Sequence, residues 1–147
     1  MFKSSLFDEK TFYQKFIKDL LGCQKEVIVE SPFISTKRMK TLYPVFEKMV
    51  KQGIKVYILT RNPKDYINSN FEQQSESEIQ RFEAIGVQVF ICIGNHHRKL
   101  AILDRKILWE GSLNILSQVR SREIMRRISS EKLALEMFNF LRLDRFV

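Results

Sequence analysis

A layered α-β-α fold, with helices on both faces of a mixed, largely parallel sheet, is the fold class this sequence predicts, as one domain over residues 1–147. Three observations carry it. Short β-branched runs alternate with amphipathic stretches along the first part of the chain. Two of those runs, IKVYILT (54–60) and VQVFICI (87–93), are nearly continuous in apolar residues, as strands buried on both faces are. Strand-like runs then crowd together after residue 98, which breaks a pure alternation of strand and helix.

The elements follow in order. Apolar residues at 12, 13, 16, 17, 20 and 21 predict a helix over 7–21, with Asp8 as N-cap and Gly22 as its stop. KEVIVE (25–30) predicts a strand, followed by a loop at SPFIST. Residues 40–52 read as a helix closed by Gly53, and 54–60 as the next strand. The turn-rich stretch RNPKDYINSN (61–70) reads as a loop, 75–85 as a third helix stopped by Gly86, and 87–93 as a third strand. Residues 99–103 and 107–110 form two short strands around an Asp104-Arg105-Lys106 turn. A further strand over 122–128 and a helix over 130–141, capped by Ser129 or Ser130, complete the chain.

Apolar residues make up 44% of the 147, twelve of them phenylalanine, so a core forms without disulfides or metals. There is no repeat and no low-complexity segment. No GxGxxG or GxxxxGK[ST] follows any strand, which excludes a phosphate cradle built on a glycine loop. Cys23 and Cys92 stand alone, outside any CxxC, and a zinc site joining them to His96 or His97 would have no familiar spacing; no metal and no cofactor is expected. The N-terminus lacks an apolar signal core and no run spans a bilayer, so a cytoplasmic protein without membrane attachment is expected.

The net charge of +8 favours an anionic partner. The excess is uneven: residues 96–127 hold eight Lys and Arg against three acids, whereas 65–83 hold five acids and one Arg. Taken alone, the basic third is as readily a solvated face as a binding surface. It also holds both histidines, in NHHRKLAILD (95–104). In an extended strand His97 and Lys99 share a face, so an imidazole able to attack phosphorus sits beside an ammonium able to hold phosphate oxygens. Ser112 and Asn114 are likewise two apart and can donate to the same oxygens. Asp104, an odd number of positions from His97, faces away and takes a supporting part in the turn. His96 faces opposite to His97 and is not expected to be catalytic. Trp109 reads as core, and Arg126-Arg127 as a solvated or phosphate-steering pair, with Arg126 taken as substrate-binding.

His97-x-Lys99-x4-Asp104 resembles the H-x-K-x4-D signature of the phospholipase D superfamily. Gly111-Ser112-Leu113-Asn114 stands where that family has its GSxN element, and Glu123 where its small bacterial nucleases place an acid near the histidine. VIVESPFIS and GIKVYILTR resemble the first strands of the same fold. Two positions depart from the pattern: Arg105 stands where glycine is frequent, and Arg122 where a small or polar residue is common. The resemblance implies a site of His97, Lys99, Asp104, Ser112, Asn114 and Glu123, with Lys99, Ser112, Asn114 and Arg126 on the substrate. Glu123 would then accept the second ring N–H of His97 and fix its tautomer.

Similar enzymes use two such motifs, one histidine attacking and the other protonating the leaving oxygen, whereas this chain carries one. A homodimer sharing one site restores the pair. The expected function is therefore a metal-independent phosphodiesterase acting on nucleic acid, DNA favoured over RNA, through a covalent phosphohistidine. Two alternatives stand beside it: a catalytically weak DNA-binding module of a restriction or helicase system, and a phospholipid phosphodiesterase or phosphatidyltransferase.

Overall fold

In the computed structural model, described for residues 2–65, 69–117 and 120–147 and without the side chains of 69–71, the strands form one seven-stranded sheet. The chain runs β1 (Lys3–Asp8), α1 (Phe12–Leu21), β2 (Glu26–Glu30), α2 (Thr36–Lys51), β3 (Lys55–Arg61), α3 (Ser69–Ala84), β4 (Gln88–Cys92), β5 (Leu100–Leu103), β6 (Ile107–Gly111), β7 (Ile124–Ser129) and α4 (Glu131–Phe140). The sheet order is β1-β7-β6-β5-β2-β3-β4. Among the described residues no helix is long and apolar enough to cross a membrane.

Alternation along the strands divides the interior into two apolar layers. Val27, Val29, Val56, Ile58, Ala101, Leu103 and Trp109 pack with Phe12, Phe16, Phe46 and Phe82 of α1, α2 and α3 on one face. Ile28, Tyr57, Leu59, Ile102, Leu108 and Ile128 pack with Ala134 and Phe138 of α4 on the other. The α-β-α layering and the mixed sheet expected from the sequence are both present. The sheet is not largely parallel, however. β2 pairs parallel with β3 and β3 with β4, whereas β2–β5, β5–β6, β6–β7 and β1–β7 are antiparallel. The three-residue connection from β5 to β6 leaves no room for a crossover helix, so those strands must turn back on one another.

The N-terminal residues depart furthest from expectation. Residues 3–8 form an edge strand on β7, and the helix begins only at Phe12. KSSLFD is exposed at all but one position and so carries no apolar signal of a strand. Asp8 caps no helix. Its carboxylate accepts from the backbone of Lys10 and Thr11 and from the Thr11 hydroxyl, closing the turn between β1 and α1.

Elsewhere the shifts are smaller. α2 starts at Thr36 because the Ser35 hydroxyl accepts from Arg38 N–H, as an N-cap does, and it continues through Pro44. α3 starts at Ser69, β7 at Ile124, and Ser130 is the cap of α4. Residues 66–68, part of the expected loop, lie outside the described residues.

Arg127 is not a solvated partner of Arg126. Its guanidinium donates to both oxygens of the buried Asp19 carboxylate, at 2.7 and 3.0 Å, and the indole N–H of the fully buried Trp109 donates to the same group at 2.9 Å. A charge is tolerated inside the α1 layer because it is paired and fully hydrogen-bonded.

Candidate active site

The site is built where β5 and β6 leave the sheet. β4 ends at Cys92, and residues 93–99 cross the ends of β3 and β2 to reach β5. Gly94, at φ 97°, makes the first bend, and the His96 N–H donates to its carbonyl. After the bend the side chains part. His96 and Arg98 turn to Glu30 at the end of β2: His96 Nδ1 lies 3.4 Å from Glu30 Oε1, and Arg98 donates to the same oxygen at 3.0 and 3.2 Å. His97 is exposed, its Nε2 paired with Asn95 Oδ1 at 3.2 Å and its ring edge-on to Phe33. The Lys99 ammonium donates to the His97 carbonyl at 2.6 Å, which ties the lysine to the histidine's own backbone.

Across the ladder, the GSxN segment owes its glycine to close packing of β6 on β7. A Cβ on Gly111 would stand 2.1 Å from the Ile124 carbonyl oxygen and 2.9 Å from Met125 Cα. Glycine is the residue that admits this approach. Ser112 then leaves the sheet. Its N–H donates to the Ile124 carbonyl at 3.0 Å, and its hydroxyl, in place of a carbonyl, accepts from Ile124 N–H at 3.0 Å. The hydroxyl proton has a long 3.4 Å bond to the Ile124 carbonyl and is the donor most easily turned to a ligand. Asn114 is half-buried, and its Oδ1 is a buried acceptor with no hydrogen-bond partner.

An open groove of about 890 Å³ starts at Lys99 and Ser112 and runs across the sheet toward α4. Arg98, Lys99, Arg122 and Arg126 line it, against the single acid Glu110. Its apolar wall includes Leu6, Ile124 and Phe140, which are 62%, 62% and 79% exposed. Cations beside exposed apolar groups suit a partner that is both anionic and flat-faced.

Two expected members of the site make their hydrogen bonds to other residues. Asp104 sits at the far end of β5, where its carboxylate accepts the N–H groups of Gln24, Lys25 and Glu26 at 2.8–3.0 Å. It joins the β5–β6 turn to the start of β2. Asp104 and Arg105 both have positive φ, at 53° and 54°. That requirement explains why glycine suits position 105. Arg105 instead meets it while donating to Glu26 at 3.1 Å and stacking on Phe138. Glu123, in turn, is not bonded to His97. Its carboxylate accepts from the Ser121 hydroxyl at 3.1 Å, and its N–H donates to Glu9.

Residue patterns did not single out Glu30, Phe33 or Asn95. Glu30 had one visible signal, a carboxylate closing the otherwise apolar run VIVE. The half-buried Tyr13 hydroxyl, which donates to the Ile115 carbonyl at 2.8 Å, holds the segment after Asn114; its burial pushes the phenol well above its ordinary range.

Comparison with known proteins places this geometry. The family described as "Cardiolipin synthase, PLD-like domain" matches residues 16–143. No curated protein matches the sequence significantly. Among solved structures, NucT from Helicobacter pylori is 19% identical, with a TM-score of 0.73 over 97% of this chain and 94% of that one. Nuc from Salmonella typhimurium, described as a phospholipase D family member, is 16% identical, with a TM-score of 0.74 over 97% and 93%. TrmBL2, an archaeal chromatin protein described as showing a novel mode of DNA binding, is 16% identical, with a TM-score of 0.64 over 97% of this chain and 52% of that one. These likenesses concern the fold, which is shared over nearly the whole chain.

Proposed function

The chain belongs to the PLD-like domain family, and from that premise we propose that it is a metal-independent phosphodiesterase that hydrolyses nucleic-acid backbones, DNA in preference to RNA, as a homodimer. The observation that carries this reading is the cationic groove lined by Arg98, Lys99, Ser112, Arg122 and Arg126; His97 lies outside that lining, exposed on the segment that leads into Arg98 and Lys99. Affinity for a polyanionic backbone rests on such phosphate contacts. NucT and Nuc match the fold over almost their whole lengths, which fits a free-standing domain of this size.

The chemistry follows from the side chains. The neutral imidazole of His97 attacks phosphorus, forming an N–P bond as the P–O bond to one nucleoside breaks. The Lys99 ammonium and the Ser112 hydroxyl, both at the mouth of the groove, hold the nonbridging oxygens on which charge builds. To reach them the Lys99 ammonium must leave the His97 carbonyl. The departing alkoxide takes a proton from a second imidazolium. Water then attacks the phosphohistidine with that second imidazole as base, and the N–P bond breaks.

His96 of the same chain is turned away from the role of second imidazole. Its Nε2 is held by the Ile93 carbonyl at 3.0 Å, and its Nδ1 faces the buried Glu30. A second copy of His97 across a two-fold axis is the source we propose. Glu123 and Asn114 would complete the shared site.

The test is to incubate the pure protein, in excess EDTA, with plasmid, single-stranded DNA, RNA and phospholipid vesicles. Cleavage of nucleic acid that disappears in His97→Ala supports the reading. Activity that requires a divalent ion, or that appears only on phospholipid, refutes it. The shared site has its own test. Refolding normal chains with a ninefold excess of His97→Ala leaves about one dimer in a hundred fully normal, so activity per normal chain should fall roughly tenfold. Unchanged activity per normal chain would mean that each subunit works alone.

A further inference from the structure

Glu30 is the most deeply buried acid near the site, with 2% of its surface exposed, and only half of its carboxylate is used. Both Arg98 bonds end on Oε1, whereas an arginine facing a carboxylate ordinarily engages both oxygens in a fork. Oε2 is buried and has no hydrogen-bond partner among the described residues. Burying a carboxylate oxygen unpaired is costly, so the vacancy calls for a cause.

The groups around Oε2 share one character. The carboxylate of Glu30, the thiol of Cys92 and a ring nitrogen of His96 have ligand atoms within 4.8 Å of one another. Cys92 and Glu30 are buried, and His96 is half-buried. A carbonyl oxygen only accepts, so the 3.0 Å contact of His96 Nε2 with the Ile93 carbonyl puts the proton on Nε2. With the proton on Nε2, Nδ1, the nitrogen facing Glu30, is the atom that a cation would engage in exchange for any proton it shares with that carboxylate. A metal-binding imidazole is normally fixed in this way, by donating its far N–H to a backbone carbonyl. Three electron-rich atoms thus converge from β2, β4 and the loop between β4 and β5.

We propose that Glu30, Cys92 and His96 form a binding site for a thiophilic divalent cation such as Zn²⁺, one per chain. The mixed O, S and N donor set is the kind that selects zinc over magnesium or calcium. Bond lengths of about 2.0–2.3 Å at tetrahedral angles place ligand atoms about 3.3–3.8 Å apart, so the cluster needs to close by about 1 Å. Arg98 can stay on Oε1 while the ion takes Oε2. As the metal–sulfur bond forms, the Cys92 proton passes to solvent. In the metal-free protein burial, then the neighbouring Glu30 charge, push that thiol's pKa up, and a cation between the two acts against both effects.

The ion takes no step in the hydrolysis proposed above. It clips the ends of β2 and β4 to His96, the residue before His97. Sequence spacing alone hides the site because its ligands are 62 and 4 residues apart, a pattern set by the fold.

The test uses Co²⁺, titrated into the full-length, metal-stripped protein. We expect saturation at one equivalent per chain, with a thiolate-to-cobalt charge-transfer band in the near ultraviolet. The band should vanish in Cys92→Ser, weaken at least tenfold in apparent affinity in His96→Gln, and persist in Cys23→Ser. Zn²⁺ should displace the band and raise the melting temperature of the wild type, but not that of Cys92→Ser. His96 is half-exposed, so His96→Gln keeps the test valid if Cys92→Ser does not fold. Absence of the band at one equivalent, or a band indifferent to both Cys92→Ser and His96→Gln, would overturn the proposal and leave Glu30 as a partner of Arg98 and His96 alone. Neither result depends on nuclease activity.

Discussion

Replacing Gly111 with alanine places a methyl group where the backbone of β7 already is. The added Cβ would lie 2.1 Å from the Ile124 carbonyl oxygen, against an ordinary contact of 3.4 Å or more, so the strands must part by roughly 1.3 Å. Backbone cannot rotate aside as a flexible side chain can. Parting β6 from β7 there stretches two bonds now at 3.0 Å, from Ser112 N–H to the Ile124 carbonyl and from Ile124 N–H to the Ser112 hydroxyl. Two lost hydrogen bonds at about 1 kcal/mol each, with about 1–2 kcal/mol of overpacking, predict a loss near 3–4 kcal/mol. Urea denaturation of Gly111→Ala followed by circular dichroism measures it. With a slope of about 2 kcal/mol/M, the midpoint should fall by roughly 1.5–2 M without a change in slope. A fall under about 0.3 M would show that β7 yields freely, and the account of why glycine opens the GSxN segment would be wrong.

Two further outcomes follow from the interior. Asp19→Ala strands the Arg127 guanidinium and the Trp109 indole N–H inside the α1 layer, and should cost about 3–5 kcal/mol in the same denaturation assay. Burial first, then the nearby Asp104 and Asp19 charges, push the Cys23 thiol up to about 12 from an ordinary 9.0. A raised folded-state pKa lends stability that is complete below the unfolded value and is lost as pH rises through the folded one. The wild type should therefore lose stability between pH 9 and about 12 more steeply than Cys23→Ala, and at pH 8 a thiol reagent should label Cys23 only after unfolding.

The parts of this molecule legible in its sequence are those whose signal is local. The apolar run at 54–60 announces the buried strand β3, whose two faces both meet helices. The similar run at 87–93 is the edge strand β4 and its end, where Ile91 and Ile93 are 43% and 93% exposed, so an apolar run alone does not tell an edge strand from a central one. The H-x-K-x4-D spacing keeps His97 and Lys99 close because they are two residues apart, but both precede β5, so strand alternation does not set their side-chain directions. Residues 3–8 escaped notice because an exposed edge strand needs no apolar face. Arg127 read as a surface charge because its partner, Asp19, is 108 residues away and adjacent only through the fold. Position 105 departs from glycine because ion-pairing and stacking offset a left-handed backbone, a balance that residue spacing does not display. Glu123 bonds Ser121 and Glu9, partners that no spacing in the sequence announces.

The central claim is that His97 becomes bonded to phosphorus. Uniformly ³²P-labelled DNA, mixed with excess enzyme in EDTA and quenched in alkali, in which phosphohistidine survives, tests it in one step. The account predicts label on the wild-type chain within the first turnover, in the peptide that contains His97, and none on His97→Ala. Rapid cleavage by the wild type with no label on the chain would contradict it, because water would then be attacking phosphorus directly.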